Sequence, residues 1–264
     1  MTARGGAEAL APRAATVRQD VVHVLGVPFS ALSFEGAVAQ IRTMIARGGA
    51  HQVVIANAHT LNLASRDPEY HRILREAALV LRDGVGVELA ALLQRRRLPY
   101  NFVGTDFIPR LLAHLSDVRP RVFLYGAAPG VAEAAAQVLA TRCPGVHVVG
   151  TEHGFGDRGA AVRRVAASQA DLTLVALGNP LQEKWIAAHL PRLGTRVAIG
   201  VGALFDYLAG RVRRAPRWVL ALRSEWVFRL LVEPRRLWRR YLFGNCVFLW
   251  RVAADVRQAR AGRQ

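Results

Sequence analysis

Short apolar runs alternate with helical segments from residue 21 to about residue 202, and this alternation leaves few folds open to the chain. The runs are VVHVLG (21–26), QVVIAN (52–57), LVL (79–81), RVFLYG (121–126), VHVVG (146–150), DLTLVALG (171–178) and RVAIGVG (196–202). Between them lie Ala-, Leu- and Arg-rich stretches at 33–47, 68–77, 85–95, 105–116, 130–141, 159–169 and 181–190. Strands alternating with helices build βαβ units on a mostly parallel sheet. Runs as continuously apolar as LTLVAL need helices on both faces of that sheet. The expected fold class is therefore α/β.

Beyond about Arg211 the alternation stops. The rest reads as two or three basic amphipathic helices broken near Pro234 and Gly244-Asn245. The formal charge of +17 points to an anionic partner, and its distribution is uneven. From Arg211 to Gln264 there are 14 arginines against Glu225, Glu233 and Asp255, a net of +11, together with four of the five tryptophans. Three regions follow: 1–20, a disordered N-terminal segment without the apolar core of a secretory signal; 21–210, the α/β core; and 211–264, a basic appendage. No apolar run approaches the ~18 residues of a membrane span, so any membrane contact is expected to be peripheral. Cys143 and Cys246 lie far apart without metal-ligand spacing, which fits reduced thiols in a cytoplasmic setting.

Nearly every β run ends in a small polar or glycine cluster: Asn57-Ala58-His59-Thr60, Asp83-Gly84, Gly126 to Gly130, Glu152-His153-Gly154, Gly178-Asn179-Pro180 and Gly200-Val201-Gly202. In open parallel sheets ligands bind beyond the carboxyl ends of the strands. Glycines there admit a ligand's close approach, and helix N-termini attract phosphate. Gly126, Gly178, Asn179 and Gly202 are thus candidate nucleotide-binding positions. Pro180 and Glu183 also obey ordinary helix-start grammar, which does not account for Gln182, whose amide suits a uracil edge or a sugar hydroxyl. Known phosphate and catalytic motifs are missing. Position 205 is Phe where a dinucleotide fingerprint needs its third glycine, and there is no Walker A lysine loop, no DxD pair for a divalent metal and no GxSxG elbow. Asp83 either caps the following helix or acts as a general base, and on position alone both stand. Asp206 is a second, weaker base candidate; pairing with Arg211 or Arg214 explains it as well.

On a helical wheel, Arg235, Arg236, Arg239 and Arg240 fall within about 140° of one another, opposite Leu237, Trp238, Tyr241 and Leu242, with Phe243 as an exception. A basic face opposed by Trp, Tyr and Leu is the pattern of a helix lying on anionic lipid.

In sequence order, ANAHTLNLASRDPEY (56–70), LRDGVGVELA (81–90), VGTDF (103–107), VFLYGAAPGVAEAAA (122–136), VVGTEHGF (148–155), LGNPLQEKW (177–185), GVGALFDYLAG (200–210), RAPRWV (214–219) and EWVFRLLVEPRRLWRR (225–240) together resemble the WecG/TagA/CpsF family of bacterial glycosyltransferases. The resemblance runs from about residue 22 to 243. It implies a Rossmann-like, mostly parallel core with helices on both faces and a basic helical C-terminal appendage at the membrane. It implies an inverting enzyme at the cytoplasmic membrane face, needing no cofactor or metal. The donor would be a UDP-sugar carrying N-acetylmannosamine, its uronic acid or glucose, and the acceptor a polyprenyl-diphosphate-linked sugar in surface or wall polymer synthesis. In this likeness Asp83 is the base, and Asn57, His59 and Thr60 line the acceptor pocket. Gly178, Asn179, Gln182 and Glu183 hold the nucleotide. Arg229, Arg236 and Arg239, with Arg214 of the Arg-Ala-Pro block, reach the acceptor side and its diphosphate. Many members carry Thr where this chain has Ile55, which leaves that hydroxyl's role unfilled.

Two rivals remain at this level. A nucleic-acid-binding protein would also be basic and aromatic, but no recognition motif appears and the charge sits at one end, so no nucleic acid is expected. A non-catalytic membrane-bound adaptor would have little reason to keep Asp83 beside the 178–183 motif. A homo-oligomer paired through the tail helices is a further expectation.

Overall fold

A computed structural model of the chain describes residues 20–212, 215–216, 219, 225–232, 234–238 and 242–261, without the side chains at 225, 226, 229, 236, 237, 259 and 260. Its centre is a six-stranded parallel sheet built from β3 (His51–Ala56), β4 (Leu79–Arg82), β5 (Arg121–Gly126), β6 (His147–Glu152), β7 (Leu172–Ala176) and β8 (Val197–Gly200), in the order β4-β3-β8-β7-β5-β6. The two faces can be read from alternate residues. Val53, Leu79, Leu81, Val122, Leu124, Leu172, Leu174, Val197 and Ile199 join one buried cluster with α1 (Phe34–Arg47), α5 (Gly104–His114), α6 (Val131–Arg142) and the short α9 (Leu204–Leu208). On the other face, Val54, Val80 and Ala56 pack with α2 (Ala58–Ala64), α3 (Pro68–Glu76) and α4 (Val85–Leu93). Phe123, Tyr125, Val175 and Ala198 continue that face under α7 (Arg158–Ser168) and α8 (Leu181–His189). Both faces are covered, as the apolar strands require.

Two departures from the sequence expectation have local causes. The first β run is not in the central sheet. β1 (Val21–Val24) pairs antiparallel with β2 (Val27–Ser30), which the sequence did not announce. The turn between them places both Leu25 (φ 50°) and Gly26 (φ 77°) in the left-handed region, the handedness that matches strand twist. Leucine is an uncommon first residue for such a turn. The second departure is α2, read from sequence only as a polar strand end. Asn57 starts it as a capping box: its Oδ1 accepts from the His59 and Thr60 backbone N–H groups, and Thr60 Oγ1 accepts from Asn57 N.

The C-terminal region contributes α10 (Glu225–Val232), α11 (Pro234–Trp238) and α12 (Gly244–Ala261). Of these, α12 belongs to the core. Phe248 and Val252 are fully buried against α2 and α4. Asn62 on α2 donates to the Gly244 carbonyl at 2.6 Å, and Arg251 reaches back to Asn62 Oδ1 at 3.1 Å and to Ser65. Arg214 and Arg239 lie outside the described residues, as do the side chains of Arg229 and Arg236.

Candidate active site

Topology puts the site at the carboxyl edge of the sheet. β5 and β7 are neighbours, yet α6 leaves toward one face and α8 toward the other. β3 and β8 are also neighbours, and α2 and α9 diverge in the same way. A crevice opens wherever adjacent connections part like this, and it is where ligands bind in such sheets. Gly84, Gly178 and Gly202, at the ends of β4, β7 and β8, all have positive φ, and a Cβ added at any of them would meet nothing within 4 Å. The edge is therefore open. Helices α4, α6 and α8 begin there with no side-chain cap hydrogen bond, unlike α1, α2, α3 and α7, which Ser33, Asn57, Asp67 and Asp157 cap. Uncapped N–H groups facing an open crevice are ready partners for an anion.

Asp83 stands at this edge, directly after β4, half-buried, with its backbone N–H on the Ala56 carbonyl at 2.8 Å. It is not the cap of α4. Gly84 holds that position at φ 85°, and the Gly84 N–H is taken by Asn101 Oδ1 at 2.7 Å. Beside Asp83, Asn57 donates its Nδ2 to Asp83 Oδ2 at 3.3 Å. Behind it, Arg82 is buried and pairs with Glu88 at 3.2 Å while bonding the carbonyls of Gly84 and Leu98. These contacts fix the turn from two sides.

A polar network runs inward from this point. Asn179 donates to Thr60 Oγ1 at 3.0 Å and to Tyr70 Oη at 3.3 Å. Tyr70 donates to Glu183 Oε2 at 3.0 Å, and Gln52 donates to the Glu183 carbonyl at 3.0 Å. Gln182 Oε1 accepts from the backbone N–H groups of Gly178 and Gly202, at 3.2 and 3.0 Å, and its Nε2 donates to Glu183 Oε1 at 2.6 Å. Burial pushes the Glu183 carboxyl up to about 7, against the opposing pull of its hydrogen bonds from Gln182 and Tyr70. Burial, and then the nearby Glu183 charge, push the Tyr70 hydroxyl well above its ordinary range.

This raised carboxyl has a consequence for stability. The native state holds the proton to higher pH than the unfolded chain, whose carboxyl titrates near 4.5. Stability from this group is present below that value and is lost as pH rises through about 7. Denaturant unfolding at pH 5 and pH 8 is expected to show that slope in the wild type and to lose it in Glu183→Gln.

The structure thus brings together Asn57, Thr60, Asp83, Gly178, Asn179, Gln182, Glu183 and Gly202. Their roles divide by exposure. Glu183 is 0% and Gln182 2% exposed, and their polar atoms are engaged inside the protein, where Gln182 Oε1 supports the Gly178 and Gly202 loops. Thr60 is likewise 0% exposed and forms a link behind Asn57. His59 is half-buried in the first turn of α2. Gly126 at φ 124° lies so close to β7 that an added Cβ would sit 2.4 Å from the Ala176 carbonyl oxygen. It shapes the β5 loop and presents Gly130 and the start of α6. Asp206 lies on α9, with its carbonyl accepting from Arg211 N at 2.9 Å. Ile55 packs partly buried on the α1 face. Tyr70, Gln52 and Asn101 were given no role from sequence: nothing in their spacing separates a site tyrosine or amide from an ordinary one. Among the described residues, no group of three His, Cys, Asp or Glu side chains is placed to hold a metal.

This arrangement is that of an open parallel α/β enzyme with its chemistry at the strand carboxyl ends. Residues 22–262 match the glycosyl transferase WecG/TagA/CpsF family. The chain belongs to that family and is a glycosyltransferase. Its relatives include the N-acetylglucosaminyldiphosphoundecaprenol N-acetyl-beta-D-mannosaminyltransferases of Bacillus subtilis (strain 168), 34% identical over 68% of this chain and 70% of the relative, and of Bacillus spizizenii, 35% identical over 72% and 74%. The enzyme of that name from Staphylococcus aureus (strain MRSA252) is 29% identical over 92% of this chain and 96% of its own length.

Proposed function

We propose that the chain transfers N-acetylmannosamine, with inversion, from its UDP-sugar to the N-acetylglucosamine of a polyprenyl-diphosphate acceptor in wall or surface polymer synthesis. The observation that carries the reading is Asp83, a carboxylate outside any helix, held by Asn57 at 3.3 Å on the open, glycine-lined edge. The names of the relatives favour N-acetylmannosamine over glucose or a uronic acid as the transferred sugar. In the proposed step an acceptor hydroxyl oxygen attacks the anomeric carbon as the bond from that carbon to the diphosphate oxygen breaks. Asp83 takes the hydroxyl proton, and UDP leaves with the bond electrons. The N-termini of α6 and α8, flanking the β5/β7 crevice, suit the growing negative charge on the diphosphate. No residue of the reading calls for a metal.

The acceptor's lipid sets the working surface. No described helix is long and apolar enough to cross a membrane. Instead, α4 leaves Leu89, Leu92 and Leu93 exposed at 43%, 48% and 47% on its outer face, and Arg95, Arg96 and Arg97 follow after Gln94. Trp250 (72%) and Leu249 on the adjoining α12 are exposed too, as are Leu231, Trp238 and Phe243. Spacing of i, i+3 and i+4 followed by arginines suits peripheral contact with an anionic bilayer, where each basic residue adds about 1 kcal/mol. Since α4 begins two residues after Asp83, such contact would hold the base close to the lipid-linked sugar. The test is transfer from a panel of UDP-sugars to an N-acetylglucosaminyl-diphospholipid in anionic or neutral vesicles. Transfer of N-acetylmannosamine, faster on the anionic vesicles, is the expected result; no transfer with any donor from folded protein would favour a non-catalytic adaptor.

A further inference from the structure

The turn that carries Asp83 is held by one side-chain amide from each side, and only one of the two is used up. The Asp83 backbone N–H points to β3, where the Ala56 carbonyl accepts it at 2.8 Å. Asn57, which follows β3, commits its NH2 to Asp83 Oδ2 at 3.3 Å. The backbone groups just before and after Asp83 point the other way, to the outer edge of the sheet, since β4 pairs with β3 alone. There the Arg82 carbonyl accepts from Phe102 N at 2.9 Å, and the Gly84 N–H donates to Asn101 Oδ1 at 2.7 Å. Residues 101 and 102 therefore run along the outer side of the turn.

The bond to Gly84 also sets the direction of the Asn101 amide. A backbone N–H only donates, so the atom that meets it must be the side-chain oxygen, and the NH2 is turned away from Gly84. Asn101 Nδ2 has no hydrogen-bond partner among the described residues. It is also not one of the polar atoms buried without a partner, and Asn101 itself is only half-buried. The amide thus offers solvent a donor whose direction is set, next to a glycine that borders open space.

We propose that Asn101 is a substrate-binding residue: its Nδ2 donates a hydrogen bond to an oxygen of the acceptor sugar held at Asp83. This rests on the reading of Asp83 as the base, which brings the acceptor hydroxyl to its carboxylate. Place favours the acceptor over the donor as partner. β4 is the last strand at its end of the sheet, away from the β5/β7 crevice that suits the diphosphate. Asn101 lies on the segment that follows α4, the helix whose exposed leucines suit the lipid. An uncharged donor also suits an uncharged sugar oxygen, whereas phosphate oxygens favour arginine.

The experiment uses the full-length enzyme with UDP-N-acetylmannosamine and a set of lipid-linked acceptors. The set contains N-acetylglucosamine and analogues that each lack one oxygen other than the attacking hydroxyl. In the wild type one analogue is expected to lose about 10-fold in kcat/KM. In Asn101→Ala the full acceptor falls by about that factor and the same analogue falls no further, because the contact is already gone. KM for the donor stays within about 2-fold of wild type. Asn101→Asp keeps an oxygen for the Gly84 N–H and serves if the alanine variant does not fold. With no NH2 to donate, its kcat/KM for the full acceptor is expected to fall at least as far. If every analogue loses the same factor in the variants as in the wild type, with Asp83→Asn inactive, the contact alone is overturned and Asn101 only holds the turn. A loss confined to the donor KM would also overturn it, since the amide would then meet the UDP-sugar. Undiminished transfer by Asp83→Asn would remove the base reading itself.

Discussion

Asp83→Asn is expected to lower kcat by ~10²-fold or more, about 2.7 kcal/mol in the barrier, while UDP still binds and the melting temperature stays close to wild type. The substitution keeps the shape of the side chain and one oxygen for the Asn57 Nδ2 now 3.3 Å away, and it removes the carboxylate's charge and its capacity to take a proton. The alternative that the sequence left open, an aspartate capping α4, predicts something different. Loss of a cap costs about 0.5–2 kcal/mol of stability and leaves chemistry intact. Gly84 at the cap position already argues against that outcome. Isothermal titration of UDP, thermal unfolding and steady-state transfer on one pair of proteins decide between the two. Undiminished transfer by Asp83→Asn would take Asp83 out of the mechanism and move attention to Asp206.

What the sequence made legible follows from how each feature is encoded. Helices on both faces could be read from strands such as LTLVA, because a doubly buried strand is apolar at nearly every position. The carboxyl-edge site was also legible, since the polar and glycine residues cluster where the runs end. Strand order was not: nothing in a strand's own residues records that β8 inserts between β3 and β7. Roles within the site were legible only in part. The burial of Gln182 and Glu183 was not legible, because a polar pair at a strand end is exposed by default. Glu183 is met in the interior by Tyr70, which lies 113 residues away in the chain. The role of α12 was hidden for a similar reason. Its arginines and Trp250 mark it as a surface helix, and only the packing partners distinguish Phe248 and Val252 from their exposed neighbours.

Phe248→Ala is expected to destabilise the whole protein by about 3–5 kcal/mol, a large share of the roughly 5–15 kcal/mol that holds a domain together. The ring is 1% exposed and packs over the first turn of α4, where a Cβ added at Gly86 would lie 3.6 Å from Phe248 Cε1 and 3.1 Å from the Ala58 side chain. Gly86 is three residues from Asp83, and Ala58 follows Asn57. The ring therefore clamps together the two segments that present Asp83 and its amide partner Asn57. Truncating it leaves a cavity beneath that turn, so the surviving folded fraction is expected to show reduced kcat as well. Trp250→Ala is the control: at 72% exposure its loss should leave the unfolding midpoint nearly unchanged while weakening binding to anionic vesicles. A Phe248→Ala protein with wild-type stability would mean that α12 comes away from α2 and α4 without cost. A large, cooperative loss would instead mean that α12 folds with the sheet, so that the turn carrying Asp83 is completed only once α12 has docked.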